Sequence, residues 1–185
     1  MVYHVSGTRG LSVLTPHVST HGKAWVYAVG DLATGLLFGV RHDDFDFKID
    51  TGDNGRPVVY ECYPGAFERV YMGKGCSVYE LDGKDFLRGM TSWSPELVCE
   101  HEVTVLNEIP VEDIYARLLS EEASGSLVIH RYSEDAGYKK LISEHIVHRL
   151  ILFDAMGYLK TDERFQKYFK NLIEALRDIM DGHLL

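Results

Sequence analysis

The sequence has few cysteines and no pattern of them that is typical of a metal site. Only three occur in 185 residues, and no two of them form a Cys-x-x-Cys pair: Cys62, Cys76 and Cys99. An odd number without such a pair indicates neither a disulfide framework nor a cysteine zinc site. We therefore expect three reduced thiols that pack as small apolar side chains in a cytoplasmic protein.

Long apolar runs and an excess of positive charge are also missing. Uninterrupted apolar stretches such as Ala24 to Val29 and Leu150 to Phe153 are no longer than six residues, far too short to span a bilayer. The N-terminal MVYHVSGTRG contains no apolar run, so we expect no signal peptide. Nineteen Lys and Arg stand against 28 Asp and Glu, which gives a formal net charge of −9. This balance argues against a protein that wraps a nucleic-acid duplex and against one that binds an anionic membrane, because both need a basic surface.

Motifs for common cofactors and metals are absent or incomplete. Gly73-Lys74-Gly75 lacks the third glycine of a dinucleotide fingerprint and precedes a predicted strand. Asp50 to Glu61 has the length of a calcium loop, but a glycine occupies its third position and a strand pattern follows. His145 and His148 lie one helical turn apart without an evident third ligand. We expect no metal site.

The residues that are present predict strands over the first two thirds of the chain. Hydrophobic residues make up 45% of the sequence and aromatic residues 11%, enough for one compact domain. Asn54-Gly55 predicts a tight hairpin turn, and Asp31 can cap a short helix. A second helix is predicted from Val111 to about Leu119. The β-rich segments are Val2 to Ser6, Ala24 to Val29, Phe45 to Ile49, Val58 to Cys62, Ser77 to Leu81 and Leu97 to Leu106.

Helical spacing begins near residue 133. Apolar residues follow it from Tyr138 to Phe153, and again from Phe165 to Ile179 after a cap at Thr161. We therefore predict a first domain over 1–125 and a C-terminal helical hairpin over 133–182. Because an amphipathic pair must cover something, the hairpin either packs on the first domain or serves association, such as a homodimer.

Two of the predicted strands carry a combination of polar and aromatic side chains. His4 and Ser6 lie two residues apart in the first strand, and therefore on one face of it. The strand over 24–29 carries Tyr27, and Phe38 follows eleven residues later, after the short helix.

A third segment pairs a glutamate with a proline turn. Glu102 lies in the predicted strand over 97–106, and Pro110 follows eight residues later within an Ile-Pro-x-x-x-Ile turn. Glu100 shares the strand face of Glu102, because side chains alternate with a period of two.

The order, spacing and element type of these three segments resemble the His–Tyr–Glu branch of the ADP-ribosyltransferase superfamily. That branch includes the diphtheria-toxin-like enzymes and the poly(ADP-ribose) polymerases. The resemblance covers about residues 2 to 118 and implies an α+β fold with a split, curved antiparallel sheet, here followed by the C-terminal helical hairpin. Two departures are Val5, where many relatives have Gly, and Phe38, where Tyr is usual.

The resemblance implies transfer of ADP-ribose from NAD to an acceptor with release of nicotinamide, or hydrolysis of NAD without one. NAD would be the substrate, and the acceptor a protein or a nucleic acid. Tyr27 and Phe38 would sandwich the nicotinamide ring. His4 would bind the adenosine-side ribose, while the backbone around Val5 would hold the carboxamide and Ser6 would assist.

The resemblance also implies a carboxylate at the reacting ribose. Cleavage of the nicotinamide–ribose bond creates an oxocarbenium-like cation, which a carboxylate stabilises. Glu102 would take this role beside His4 and Tyr27, and a two-residue slip in the match would select Glu100 instead.

Two other functions stay open. One is a non-catalytic module of the same fold that binds a nucleotide or a protein partner, which a Glu102 side chain directed away from the cleft would favour. The other is an RNA 2′-phosphotransferase-like enzyme. That branch needs several arginines, and only Arg9 and Arg41 lie near the first two segments.

Overall fold

The computed structural model of the chain describes residues 1–18, 22–170 and 172. These residues form eleven strands and six helices. The strands are Val2–Ser6 (β1), Val13–Leu14 (β2), His17–Val18 (β3), Ala24–Val29 (β4), Phe47–Thr51 (β5), Pro57–Glu61 (β6), Cys76–Leu81 (β7), Leu87–Arg88 (β8), Glu96–Cys99 (β9), Val103–Val111 (β10) and Val128–His130 (β11). The helices are Leu32–Leu37 (α1), Ala66–Tyr71 (α2), Ile114–Ser124 (α3), Ala136–Leu152 (α4), Tyr158–Thr161 (α5) and Glu163–Tyr168 (α6). None of the helices in the described ranges has the length and apolarity needed to cross a bilayer.

The strands form two sheets. The larger has the order β2-β10-β7-β1-β4-β9-β8, with β3 paired to β4 outside this path. Its pairings are antiparallel. The smaller sheet has the order β11-β6-β5, in which β11 is parallel to β6. The α+β class with a mostly antiparallel sheet, predicted from the sequence, is confirmed.

The larger sheet curls, because two strands far apart in its order are joined by a short link. Three strands separate β9 from β10, yet only residues 100–102 connect them along the chain. Four Cα steps span at most ~14 Å, whereas four strand spacings of a flat sheet span ~19 Å. The inner face of this curl is filled by a cluster of Val2, Leu14, Val26, Ala28, Tyr79, Leu81, Leu97 and Cys99.

The outer face of the curled sheet packs against the helices and the smaller sheet. One hydrophobic cluster joins Val78 of β7, Leu36 of α1 and Ile114 of α3 to Ile146 of α4 and Phe165 of α6. The described part of the predicted C-terminal helical segment therefore packs on the preceding residues. Residues 171 and 173–182 of the predicted hairpin lie outside the described residues, and its use in a homodimer stays a prediction.

Several local predictions are confirmed. β1 and β4 have the predicted bounds, and β5 and β6 form an antiparallel hairpin. Gly55 in its turn has a φ of 82°, which glycine adopts without steric cost. Asp31 caps α1, since its Oδ1 accepts a hydrogen bond from the Thr34 amide at 2.8 Å.

The prediction of one strand over 97–106 is wrong. The chain forms β9 and β10 with a break at residues 100–102, because β9 pairs with β4 whereas β10 pairs with β7 and β2. The alternation of the sequence is similar on both sides of the break and does not reveal it. The helix predicted from Val111 also starts too early: Val111 ends β10, and Asp113 caps α3. Likewise Asp162, not Thr161, caps α6.

Candidate active site

The first two strands of the predicted site pair briefly and are then bridged by a side chain. β1 and β4 are in register at Tyr3 and Val29. Further along, Nδ1 of His4 lies 2.8 Å from the carbonyl oxygen of Tyr27. Because a carbonyl oxygen can only accept, Nδ1 donates this hydrogen bond. The imidazole therefore ties the two strands together where they separate.

A cavity of about 140 Å³ opens at this separation. Four of its lining residues are aromatic: Tyr3 of β1, Tyr27 of β4, Phe38 at the end of α1, and Trp93 before β9. The Phe38 and Trp93 ring centroids are 4.9 Å apart. Pockets that enclose a drug-sized ligand run to ~300–1,000 Å³, so this cavity suits one ring and not a whole dinucleotide.

The absence of a side chain at Gly35 lets α1 approach the sheet at the cavity. A Cβ at this position would lie 3.1 Å from Cγ2 of Val5 and 3.3 Å from Cγ2 of Val29. Gly35 also lines the cavity. Any larger residue would therefore crowd β1 and β4 and occupy part of the space.

A carboxylate lies beside the aromatic rings. Glu96 begins β9, where it is in register with Val29 of β4, and it lines the cavity. Tyr27 is two residues from Val29, so Glu96 and Tyr27 are diagonal neighbours on one sheet face. Burial raises the pKa of the Tyr27 hydroxyl, and the negative charge of Glu96 raises it further. The site thus combines a ring-sized apolar space with one nearby acid.

The environment of His4 fixes its protonation state. Burial lowers the pKa of the imidazole, and the nearby His17 adds to this, against the hydrogen bond to the Tyr27 carbonyl. The ring is therefore neutral at pH 7. With the proton on Nδ1, Nε2 is left as a hydrogen-bond acceptor, which suits a hydroxyl group of a ligand.

The structure brings together four of the six side chains predicted from the sequence. His4, Val5, Tyr27 and Phe38 all line the cavity. Ser6 is not among the lining residues, and its Oγ accepts a hydrogen bond from the Thr8 amide at 3.1 Å.

The predicted carboxylate lies elsewhere. Glu102 is exposed, is not among the lining residues, and sits in the link between β9 and β10. The alternative Glu100 is also exposed and forms an ion pair with Lys23 at 2.6 Å. Both lie away from the cavity because they follow the end of β9 at Cys99. There the chain leaves β9, whose first residue lines the cavity, and crosses to β10.

Sequence reasoning missed Trp93 and Glu96. The signal available was the run Trp93-Ser94-Pro95-Glu96, in which proline precedes a short β-rich stretch and so favours a strand beginning at Glu96. The strand predicted from the sequence begins at Leu97, directly after this run, and therefore left both residues out.

No group of three or more His, Cys, Asp or Glu side chains is arranged to hold a metal ion within the residues that the structure describes.

Comparison of the chain with protein-family models, with curated proteins and with solved structures finds no match in any of the three.

Proposed function

We propose that this protein transfers ADP-ribose from NAD to an acceptor and releases nicotinamide, on an ADP-ribosyltransferase-type fold. The observation that carries the proposal is the cavity where β1 and β4 separate, lined by His4, Tyr27 and Phe38 together with Glu96. Four side chains from three strands and the end of a helix meet there. Their types match the requirements of breaking a nicotinamide–ribose bond.

The nicotinamide ring would occupy the aromatic part of the cavity. A flat, electron-poor ring gains both apolar burial and favourable ring–ring contact between Tyr27 and Phe38. Trp93 widens this surface, because its ring packs against Phe38 at 4.9 Å between centroids. The volume of about 140 Å³ supports the entry of one ring, with the remaining nucleotide lying outside the cavity.

Glu96 would act on the reacting ribose. The C1′–N bond breaks, its electron pair leaves with nicotinamide, and the ribose becomes an oxocarbenium-like cation. A carboxylate beside it stabilises that charge as it develops. The acceptor then supplies an electron pair to C1′ and loses its proton to solvent. With water as acceptor, the products are ADP-ribose and nicotinamide.

His4 would orient the dinucleotide. Its Nε2 is an acceptor, because the Tyr27 carbonyl holds the proton on Nδ1. A ribose hydroxyl can donate to that nitrogen, and the neutral state of the ring at pH 7 keeps the nitrogen available. This role is one of binding and needs no proton transfer.

The test is nicotinamide release from NAD by the wild type and matched variants. Glu96→Gln keeps the size of the side chain and removes its charge, so release should fall roughly 100-fold or more. Tyr27→Ala should also lose activity, whereas Tyr27→Phe, which keeps the ring, should retain most of it. Glu102→Gln and Glu100→Gln are the controls and should turn over like the wild type.

Two results would contradict the proposal. Loss of turnover in Glu102→Gln, with Glu96→Gln unaffected, would return the catalytic role to the carboxylate predicted from the sequence. If the wild type does not bind NAD in calorimetry, the proposed enzymatic activity is refuted.

A second candidate function is a non-catalytic module of the same fold. The position of Glu102 outside the cavity favours it. NAD binding that depends on Tyr27, without turnover in the presence of protein or nucleic-acid acceptors, would support this alternative. The 2′-phosphotransferase reading has less support: Arg9 is paired with Glu112 at 2.9 Å, and Arg41 does not line the cavity.

A further inference from the structure

Three polar side chains form a row across the inner face of the curled sheet. β7 is in register with β1 so that Tyr79 lies opposite His4, and with β10 so that Tyr79 lies opposite Glu108. The ring centroids of His4 and Tyr79 are 6.3 Å apart. Directly opposite residues share one sheet face, so the row runs from the cavity residue His4 to Glu108, two strands away.

A bulge in β10 turns Glu108 towards this row. The register of β10 against β7 shifts between Val105 and Asn107, where one residue is added. Such an addition reverses which side chains face inward from that point. Without it, Asn107 would take the inner position and Glu108 the outer one. The irregularity in β10 thus brings a carboxylate to the inner face, beside the apolar cluster.

Tyr79 and Glu108 hold the segment that follows β1. The Tyr79 hydroxyl donates to the carbonyl oxygen of Thr8 at 2.7 Å and accepts from the amide of Leu11 at 3.3 Å. The amide of Gly10 lies 3.1 Å from each carboxylate oxygen of Glu108. Residues 8–11 are therefore fixed by side chains of β7 and β10, and not by strand pairing.

Glu108 holds this segment as a charged acceptor. Ser77 of β7, which is fully buried, donates to Oε1 of Glu108 at 2.5 Å. The hydrogen bonds from Ser77 and from the amide of Gly10 lower the pKa of Glu108, so the group is a carboxylate at neutral pH. Hydrogen bonds to a charged acceptor are stronger than those between neutral groups.

We propose that Tyr79 and Glu108 are positioning residues of the cavity, which hold His4 and residues 8–11 in the arrangement that binds the dinucleotide. The inference rests on the proposed function. Tyr79 acts on both parts, since its ring packs beside the imidazole and its hydroxyl binds the segment. Glu108 acts on the segment through the amide of Gly10, and its Oε1 also lies 3.3 Å from the Tyr79 hydroxyl.

Two conservative variants test this. Tyr79→Phe keeps the ring beside His4 and removes the hydroxyl, whereas Glu108→Gln keeps the shape and removes the charge. We expect the dissociation constant of NAD, measured by calorimetry, to rise about tenfold in each. The KM for NAD should rise in parallel, while kcat stays within about twofold, because neither residue lines the cavity.

A second readout does not depend on NAD. Within residues 8–11, amide hydrogen exchange should become faster at Leu11 in Tyr79→Phe and at Gly10 in Glu108→Gln, since these two amides lose or weaken their hydrogen-bond acceptor. Tyr63→Phe is the matched control: Tyr63 is also buried, its hydroxyl donates to Asp46 at 2.6 Å, and it does not line the cavity. It should leave both NAD affinity and exchange at residues 8–11 unchanged.

The outcomes separate this inference from the proposed function. Faster exchange at residues 8–11 together with weaker NAD binding supports it. Faster exchange with unchanged NAD affinity overturns the positioning role and leaves the proposed function intact. Unchanged exchange in both variants overturns it as well. A wild type that does not bind NAD refutes the proposed function, and the positioning role with it.

Discussion

Arg164 should contribute strongly to stability, because it joins the C-terminal helices to the loop before β5. Its side chain is only 12% exposed, and its guanidinium contacts three carboxylates. Both terminal nitrogens bind Asp43 at 2.7 Å, and further contacts reach Asp46 at 2.8 Å and Asp162 at 2.6 Å. These bonds raise the pKa of Arg164 although burial opposes this.

The substitution Arg164→Met keeps the length of the side chain and removes its charge. Three carboxylates would then face one another without a cation. Removal of one partner from a buried ion pair costs about 3–5 kcal/mol. Asp43 is 45% exposed, and solvent there screens part of the repulsion. We therefore expect the free energy of unfolding to fall by about 3 kcal/mol, near the lower end of that range.

Urea denaturation of both proteins at pH 7 measures this difference. Arg117→Met is the matched control, because Arg117 pairs with Glu121 one turn along α3 at 3.0 Å and is 39% exposed. Such a surface pair should contribute about 0.5 kcal/mol or less. The two substitutions are chemically identical, so the difference between their losses of unfolding free energy reports the effect of burial around Arg164.

The difference should also depend on pH. The hydrogen bond from Arg164 is the main cause of the lowered pKa of Asp162 in the folded state. A lowered carboxyl pKa stabilises the fold above the unfolded value, near ~4, and this contribution is lost as the pH falls below it. The gap between wild type and Arg164→Met should therefore narrow below about pH 4. A loss no greater than that of Arg117→Met, or a gap independent of pH, would refute the reasoning.

Two further predictions concern close packing and a buried carboxylate. Gly35→Ala would place a Cβ 3.1 Å from the Val5 side chain, so the affinity for NAD, measured by calorimetry, should fall at least about fivefold. The control is Gly157→Ala, because a Cβ at position 157 would have no neighbouring atom within 4 Å. Equal affinities in the two variants would contradict the geometry of the cavity. Glu61 is 3% exposed and accepts hydrogen bonds from two backbone amides, at 2.8 and 2.9 Å. The amide of Glu61→Gln has only one oxygen, so it can accept only one of these hydrogen bonds without rearrangement. The free energy of unfolding, measured by urea denaturation, should therefore fall by about 1–3 kcal/mol. An unchanged urea midpoint would contradict this prediction.

The sequence was most informative about single elements. The alternation of residues 2–6 and 24–29 and the Asn54-Gly55 turn all correspond to local backbone preferences, which a short stretch of chain carries by itself. The Asp31 cap is of the same kind, because capping joins residues three apart. Those elements also carried the prediction that His4, Tyr27 and Phe38 belong together.

The choice among the glutamates depended on the curl of the sheet. Glu96, Glu100 and Glu102 lie within seven residues and alternate in the same way, so their pattern does not distinguish them. The distinction comes from partners distant in sequence: β9 pairs with β4, and β10 pairs with β7. Similarly, the row from His4 to Glu108 exists only because β7 lies between β1 and β10, with a bulge in β10.

The sequence by itself thus determined the strands β1 and β4, the hairpin turn and the cap of α1, and it indicated that His4, Tyr27 and Phe38 lie together, since such features follow from backbone preferences and side-chain chemistry over a few residues. Tertiary structure alone decided that Glu96 and Trp93 line the cavity and that Glu102 does not. The reason is physical: which side chains meet is set by strand order, register and curvature, and these arise from the packing of the whole chain around its two cores.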